Sequence, residues 1–339
     1  MKFLNRTAVV LCAVFLAVGL SSLRPALAQV TELKASLFVP PGNVFHRAMV
    51  AWADELKQKS QGRLIINIFP AGQMGPAPRQ FDLARTGVAD IAVIFTGLTP
   101  GRFPLTDLSN VPGILKGNYP SSLALSEIGP TLFASEYPGV KLINIVPIET
   151  EIISRSEIKS ANDLKGKRIR AAGPVQSDVF KALGAVPTLV QPGDMNDALS
   201  KGMVDGLSTA YSGIASWKLN DVGKYVAEGD MGSVTFATVM NQKAYDSLPA
   251  DLRLLIDENS GVASARIFGK LSADDEVEQR AILVKSGIKI NHLTDEESLK
   301  AAGQSILDQA IKNAAAKGLD VQMVVEKIKA AVTKYAAEK

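Results

Sequence analysis

The chain has 339 residues, 47% of them hydrophobic, with 37 basic and 34 acidic side chains. Lys2, Arg6 and Arg24 lie in the first 28 residues, which hold no acid, so the rest of the chain balances at 34 basic against 34 acidic residues. That balance, with no basic stripe, excludes nucleic acid and anionic membrane as partners, and the single cysteine, Cys12, leaves no disulfide framework.

Lys2 and Arg6 precede an apolar run, Ala8 to Leu20, and the small-residue site Ala26-Leu27-Ala28 follows. This order predicts a signal peptide over residues 1–28 and a mature chain starting near Gln29. The apolar run is shorter than the roughly 20 residues that span a bilayer, which sets it apart from an anchor helix. Cys12 lies inside that run behind Leu11, the wrong place for lipid attachment, so no lipid anchor is expected. No later apolar run reaches roughly 18 residues, so a soluble mature protein is expected.

Leu33 to Val39 reads as a strand and Pro40-Pro41-Gly42 as a turn. Asn43 can cap the next helix, where Phe45, Met49, Trp52 and Leu56 recur at helical spacing. A strand over Leu64 to Phe69, the loop Pro70 to Gly75, a helix ending at Gly87 and the strand Ile91 to Phe95 follow. This alternation predicts a mostly parallel sheet with helices on both faces. The middle of the chain repeats the pattern. Arg168 to Ala172 and Val186 to Val190 read as strands around a helix from Pro174 to Gly184, and Val204-Asp205-Gly206 opens another strand. Two α/β lobes are therefore expected, the first over 29–147 plus about 237–275 and the second over 148–236 plus about 276–339.

Pro249 to Ser286 has few breakers and a periodic apolar face. As one helix it would run roughly 55 Å at 1.5 Å per residue, long enough to bridge both lobes. The alternative is two helices broken at Ser260-Gly261. Two C-terminal helices follow, the first capped near Thr294 with Asp295, Glu296 and Glu297 in its first turn.

Catalytic signatures are missing. His46 and His292 are the only histidines and neither has metal-ligand spacing around it. There is no G-x-S-x-G elbow, P-loop or G-x-G-x-x-G. Asp274, Asp275, Glu276 and Glu278 fall on a helix, where a solvated face is expected. No catalytic residue, metal or cofactor is assigned.

Several segments together resemble one family. They are GRLIINIFPAGQMG (Gly62 to Gly75), GVADIAVI (Gly87 to Ile94), DLKGKRIRAAG (Asp163 to Gly173), LGAVPTLVQPGDMNDALSKGMVDG (Leu183 to Gly206) and VMNQKAYDSLPADLRLLID (Val239 to Asp257). In this order they resemble the DctP-like solute receptors of tripartite ATP-independent periplasmic (TRAP) transporters. The resemblance implies an α/β, two-lobed periplasmic binding-protein fold with a long helix lying across both lobes. It also implies a periplasmic receptor that closes on a small organic carboxylate and docks on the membrane permease subunits. An importer receptor of the ATP-driven type, a sensor and a periplasmic enzyme are the rival readings. The bridging helix and the spacing from DLKGKRIR to VDG speak against the first.

The resemblance places the carboxylate-binding arginine at Arg170. The residues agree, because Arg170 lies toward the carboxyl end of its strand, the end that faces the ligand crevice in open α/β sheets. A guanidinium can hold a carboxylate through two parallel hydrogen bonds. Where the sialic-acid branch has DGQEN this chain has DGLST, so Thr209 takes the place of its asparagine, with Ser208 and Tyr211 nearby. Thr150 stands where that branch has a second arginine, and Gln191-Pro192 where an aromatic is usual. These departures imply a smaller or more apolar acid than sialic acid. Phe95 at a strand end, Gln73 in the loop after a strand and Asn43 after the first turn are further candidates at the cleft. Trp217 is read as an interlobe or surface aromatic rather than a ligand platform.

Overall fold

A computed structural model describes residues 30–315 and 320–338, so the expected signal peptide lies outside the described residues. In chain order the main elements are β1 (Thr31–Ser36), α1 (Val44–Lys59), β2 (Leu64–Phe69), α2 (Gln80–Arg85), β3 (Ile91–Phe95), α3 (Asn118–Leu132), β4 (Val140–Glu149) and β5 (Glu151–Ser154). Next come β6 (Arg168–Ala171), α4 (Pro174–Ala182), β7 (Val186–Leu189), α5 (Met195–Ser200), β8 (Gly206–Thr209), α6 (Tyr211–Ser216), β9 (Tyr225–Glu228) and β10 (Ser233–Asn241). The chain continues with α7 (Gln242–Asp246), α8 (Ala250–Glu258), α9 (Val262–Lys285), β11 (Lys289–His292), α10 (Glu296–Ala315) and α11 (Val321–Tyr335).

Two sheets form, in the orders β2-β1-β3-β10-β4 and β11-β9-β5-β8-β6-β7. The expected parallel core is present as β2, β1 and β3. The late strand β10 runs antiparallel to both β3 and β4 and completes that sheet. In the second sheet β6 pairs parallel to β7 and β8, while β5 is antiparallel to β8 and β9. Alternation sends each strand's side chains to two apolar layers. Ile91, Val93 and Phe95 enter one and Ala92 and Ile94 the other. A bulge on β4 inserts Ile143 without a partner on β10, so Leu142 and Ile145 share one layer despite their odd spacing.

The sheets are joined where two neighbouring chain segments cross together. Only Thr150 separates β4 from β5, and residues 229–232 separate β9 from β10. Gly232 in that second crossing has φ +83°, and a Cβ there would lie 2.1 Å from the carbonyl oxygen of Asn110. The crossing therefore admits no side chain at that position.

The long helical segment is broken, as the second of the two expectations had it. Gly261 has φ +60°, a conformation other residues rarely adopt, and its N–H leaves the helix to donate to Ile143 at 2.7 Å. The interrupted backbone is satisfied locally, since Trp52 Nε1 donates to the Asn259 carbonyl at 2.8 Å. The remaining 24-residue helix α9 still bridges the sheets, packing on α1, α3 and β4 on one side and on α6 on the other. Its Asp275 and Glu276 are buried, not solvated. Asp275 pairs with Arg47 of α1, and Glu276 accepts the N–H groups of Tyr211 and Ser212 at 2.7 and 3.0 Å. The charges at the middle of α9 thus tie a helix of each lobe to it. The sequence-based division assigned all of 276–339 to the second lobe, yet α11 packs on α3 beneath the first sheet. Its apolar stripe, from Val321 through Ile328 to Tyr335, is buried there.

Candidate functional site

The carboxyl ends of the parallel strands in both sheets face one cleft, where open α/β sheets hold ligands. From the first sheet come Phe38 after β1, Phe95 at the end of β3, Ile148 on β4, and Val234 and Phe236 on β10. Asn43 and Phe45 add the start of α1, where the Asn43 Oδ1 caps the helix by accepting from the Phe45 N–H at 3.0 Å. From the second sheet come Arg170 and Ala172 at the end of β6, Thr209 and Ala210 at the end of β8, Pro192 and Met195, and Ser212, Gly213 and Trp217 along α6. Together they line a small cavity of about 50 Å³.

Among the described residues, Arg170 is the only charged one lining this cavity. It is 3% exposed, and its guanidinium is aimed by two carbonyls: Nε donates to Val190 at 3.1 Å and Nη1 to Ser208 at 2.7 Å. No carboxylate pairs with it among the described residues. Burial pushes its pKa down to about 10, still well above neutrality, so the group stays cationic. A buried cation without an anion is costly, and the partner that would offset this cost has to enter the cavity.

The rest of the wall is largely apolar. Phe236 is the centre of an aromatic group, with ring centroids 4.1 Å from Phe45, 5.1 Å from Phe95 and 6.2 Å from Phe38. The lobes approach closely beside these rings. A Cβ on Gly173 would come within 2.9 Å of the Gly97 Cα, and one on Gly97 within 2.9 Å of the Ala172 carbonyl oxygen. Asn43 Nδ2 also crosses the cleft to donate to Ser216 Oγ at 3.0 Å.

Four sequence-predicted candidates converge on the cavity: Arg170, Thr209, Phe95 and Asn43. The other four lie elsewhere. Ser208 presents its carbonyl to Arg170, while its hydroxyl is buried away from the cavity. Tyr211 turns to the far side of its helix, where its hydroxyl donates to Glu228 at 2.7 Å. Gln191 faces an adjoining outer pocket with Ala71 and Gly72, and Gln73 lines neither space. Thr150 lies in the strand crossing and accepts from Gln176 Nε2 at 2.6 Å. Trp217, read as an interlobe or surface aromatic, stands between the lobes and lines the cavity. Phe38, Phe45, Phe236 and Met195 went unrecognised. Phe236 had no signal in the sequence, because its strand pairs antiparallel across roughly 140 residues of chain.

Two α/β lobes meeting at a cleft that holds one oriented cation form the architecture of a two-lobed solute-binding protein. Residues 35–317 match the family model described as bacterial extracellular solute-binding protein, family 7 (DctP), and the chain belongs to that family. The resemblance read from the motifs to TRAP solute receptors is therefore correct. A TRAP solute-binding protein from a marine metagenome, specific for aromatic acid ligands and solved with 3-hydroxybenzoate, is 31% identical. It superposes with a TM-score of 0.86 over 92% of this chain and 100% of that one. A second, from Rhodoferax ferrireducens T118 and bound to copurified benzoate, is 26% identical with a TM-score of 0.85, over 91% of this chain and 99% of that one. An uncharacterized Sinorhizobium fredii protein is 26% identical over 316 residues, and the match covers 91% of this chain but 57% of that protein. The family and these structural relatives are solute-binding receptors. No helix among the described residues is long and apolar enough to cross a membrane.

Proposed function

We propose that this protein is a periplasmic receptor for a compact aromatic monocarboxylate, which it delivers to the membrane subunits of a TRAP-type permease. The observation that carries this reading is the charge of the cavity: one buried, unpaired Arg170 and no second charged side chain, within a wall of phenylalanines. One guanidinium satisfies one carboxylate, and a second carboxylate would be buried against rings with no cation to meet it. The two relatives solved with benzoate and 3-hydroxybenzoate support the same class.

In this reading Arg170 takes the carboxylate first while the lobes are open. Thr209 and Ser212 offer hydroxyls close by, and Asn43 comes from the first lobe. The lobes then close about the paired crossings at Thr150 and residues 229–232, and Phe45, Phe95 and Phe236 cover the ring. Water exclusion strengthens the charge-assisted bonds. Without ligand, the cost of burying Arg170 favours the open form. The protein captures and releases its ligand unchanged, with no catalytic step, and reaches the periplasm by cleavage of residues 1–28.

A thermal-shift series on the purified protein tests the ligand class. Benzoate and 3-hydroxybenzoate should raise the midpoint by several degrees and succinate should not, because binding to the folded state alone stabilises by mass action. Stabilisation by succinate with none by the aromatic acids would overturn the reading. Recovery of the bound acid unaltered, and an N-terminus near Gln29 on protein isolated from periplasm, check the remaining parts.

A further inference from the structure

Beside the ligand cavity lies a second, more open space between the loop Pro70–Pro78 of the first lobe and residues 191–194 of the second. The two spaces have three lining residues in common: Phe38, Pro192 and Trp217. Phe38 follows β1 in the first lobe, whereas Pro192 follows β7 and Trp217 ends α6 in the second. The boundary between the inner cavity and the outer vestibule is thus a collar assembled from both lobes.

Trp217 is held in this collar by its neighbours on either side. The Asn196 side-chain amide donates to the carbonyls of Trp217 at 3.3 Å and Lys218 at 2.8 Å, fixing the turn where Lys218 takes φ +52°. Ser216, just before it, accepts the interlobe hydrogen bond from Asn43. The contact that joins the lobes therefore sits one residue from the indole, and the collar is complete only when the lobes are together.

We infer that Trp217, closing against Phe38 and Pro192, sets the length of acid that the receptor accepts. The inference rests on the proposed role of the cavity as a carboxylate site. An acid anchored on Arg170 and short enough to lie wholly inside leaves the collar free to assemble. A longer acid has to pass between Phe38 and Trp217, and so opposes the approach of the lobes on which tight binding depends. The vestibule beyond is lined by Pro40, Pro76 and Pro78 on the first lobe and by Gln191 and Asp194 on the second, so a chain end that reached it would meet mainly apolar surface on the first-lobe side once the indole was removed.

The test compares benzoate with biphenyl-4-carboxylate by calorimetry on wild type, Trp217→Ala and Trp217→Phe. Wild type should bind benzoate at least about 100-fold more tightly than the long acid. Trp217→Ala should bind the long acid at least about tenfold more tightly than wild type does, while benzoate, which loses one wall of its cavity, binds no more tightly than to wild type, with Trp217→Phe between the two. Benzoate binding by all three proteins with no gain for the long acid would overturn the collar alone. Loss of benzoate from Trp217→Ala without such a gain would make Trp217 a ligand platform and overturn it as well. Failure of wild type to bind either acid would remove the aromatic-monocarboxylate reading itself, and the collar that rests on it.

Discussion

The two walls of the cleft divide the work of recognition differently. The first-sheet wall is a set of rings, Phe38, Phe45, Phe95 and Phe236, with Asn43 its one polar side chain. The second-sheet wall holds the cation, the hydroxyls of Thr209 and Ser212, and the carbonyls of Val190 and Ser208 that aim Arg170. In the proposed reading, charge on one lobe and apolar surface on the other order the events of binding. A carboxylate can be gripped by the second lobe alone, whereas the ring is buried only when the first lobe arrives. Orientation then precedes selection.

The largest expected effect breaks the polar wall. Arg170→Ala should weaken binding of benzoate at least about 30-fold, since removing one partner of a buried, hydrogen-bonded charge pair costs about 2–5 kcal/mol. Arg170→Lys should still lose at least about tenfold, because an ammonium keeps the charge but cannot reproduce the fork held by Val190 and Ser208. Calorimetry distinguishes them. Equal affinity of the lysine variant and wild type would show that charge alone matters.

A smaller loss should follow from the apolar wall. Phe236→Leu removes the ring on which Phe45, Phe95 and Phe38 converge while keeping most of the volume. A benzoate affinity lower by about tenfold is expected from the lost ring contacts, with propionate unaffected because it has no ring to cover. An equal loss for both acids would mean that Phe236 shapes the lobe rather than contacts the ring.

Lobe approach can be impaired most directly at Gly173, since a Cβ on Gly97 would also crowd the Phe95 ring at 3.1 Å. Gly97→Ala or Gly173→Ala would set a methyl about 2.9 Å from the opposing backbone, closer than real contacts allow. Gly173 has extended backbone, φ −178°, so alanine there brings no conformational strain and acts only through the clash. Either variant should fold normally and bind benzoate about three- to tenfold more weakly, with faster dissociation, because the ligand stays partly wet. X-ray scattering should show less compaction on adding ligand than in wild type. Full compaction with unchanged dissociation would show that the glycine contact does not limit closure.

The asymmetry of the walls also explains what the sequence disclosed. Arg170 and Thr209 lie at carboxyl ends of strands in a local β-α-β run, and so does Phe95. Their place follows from short-range order and the topology of parallel sheets. Asn43 was legible as a helix cap and reached the cleft for the same local reason. Ser208 and Tyr211 were misplaced by one or two residues of alternation. In β8 Thr209 faces the cavity and its neighbour Ser208 the opposite way, while Tyr211 is turned away by the start of α6. Phe236 depends on an antiparallel strand that returns late in the chain, and no local pattern records that pairing. The break at Gly261 was open in the sequence because glycine tolerates both helix and positive φ. The carbonyl of Ile143 decides it, and that residue is far away in the chain.

The smallest effect lies behind the polar wall. Glu276 of α9 caps the start of α6, and Glu151 of β5 lies near it with one carboxylate oxygen buried and without a hydrogen bond. Glu228 of β9 also faces this group, but it is paired with Arg280 of α9, lies near His292 of β11 and is held below the usual carboxylate range by Arg280 and Tyr211, against its own burial. Glu149, at the end of β4, adds a further negative charge. Burial pushes Glu276 up to about 7, and burial with the nearby Glu276 pushes Glu151 well above its usual value. The folded state therefore binds protons that the unfolded chain releases near pH 4.5. The stability contributed by these acids is complete below that pH and is lost as the pH rises, through about 7 for Glu276. Glu151→Gln keeps the shape of the neutral acid and removes its ionisation. The variant should melt with wild type at pH 4.5 and above it at pH 8, and its midpoint should vary less with pH in between, as scanning fluorimetry would show. Parallel midpoint curves for the two proteins would mean that Glu151 reaches water in the folded state.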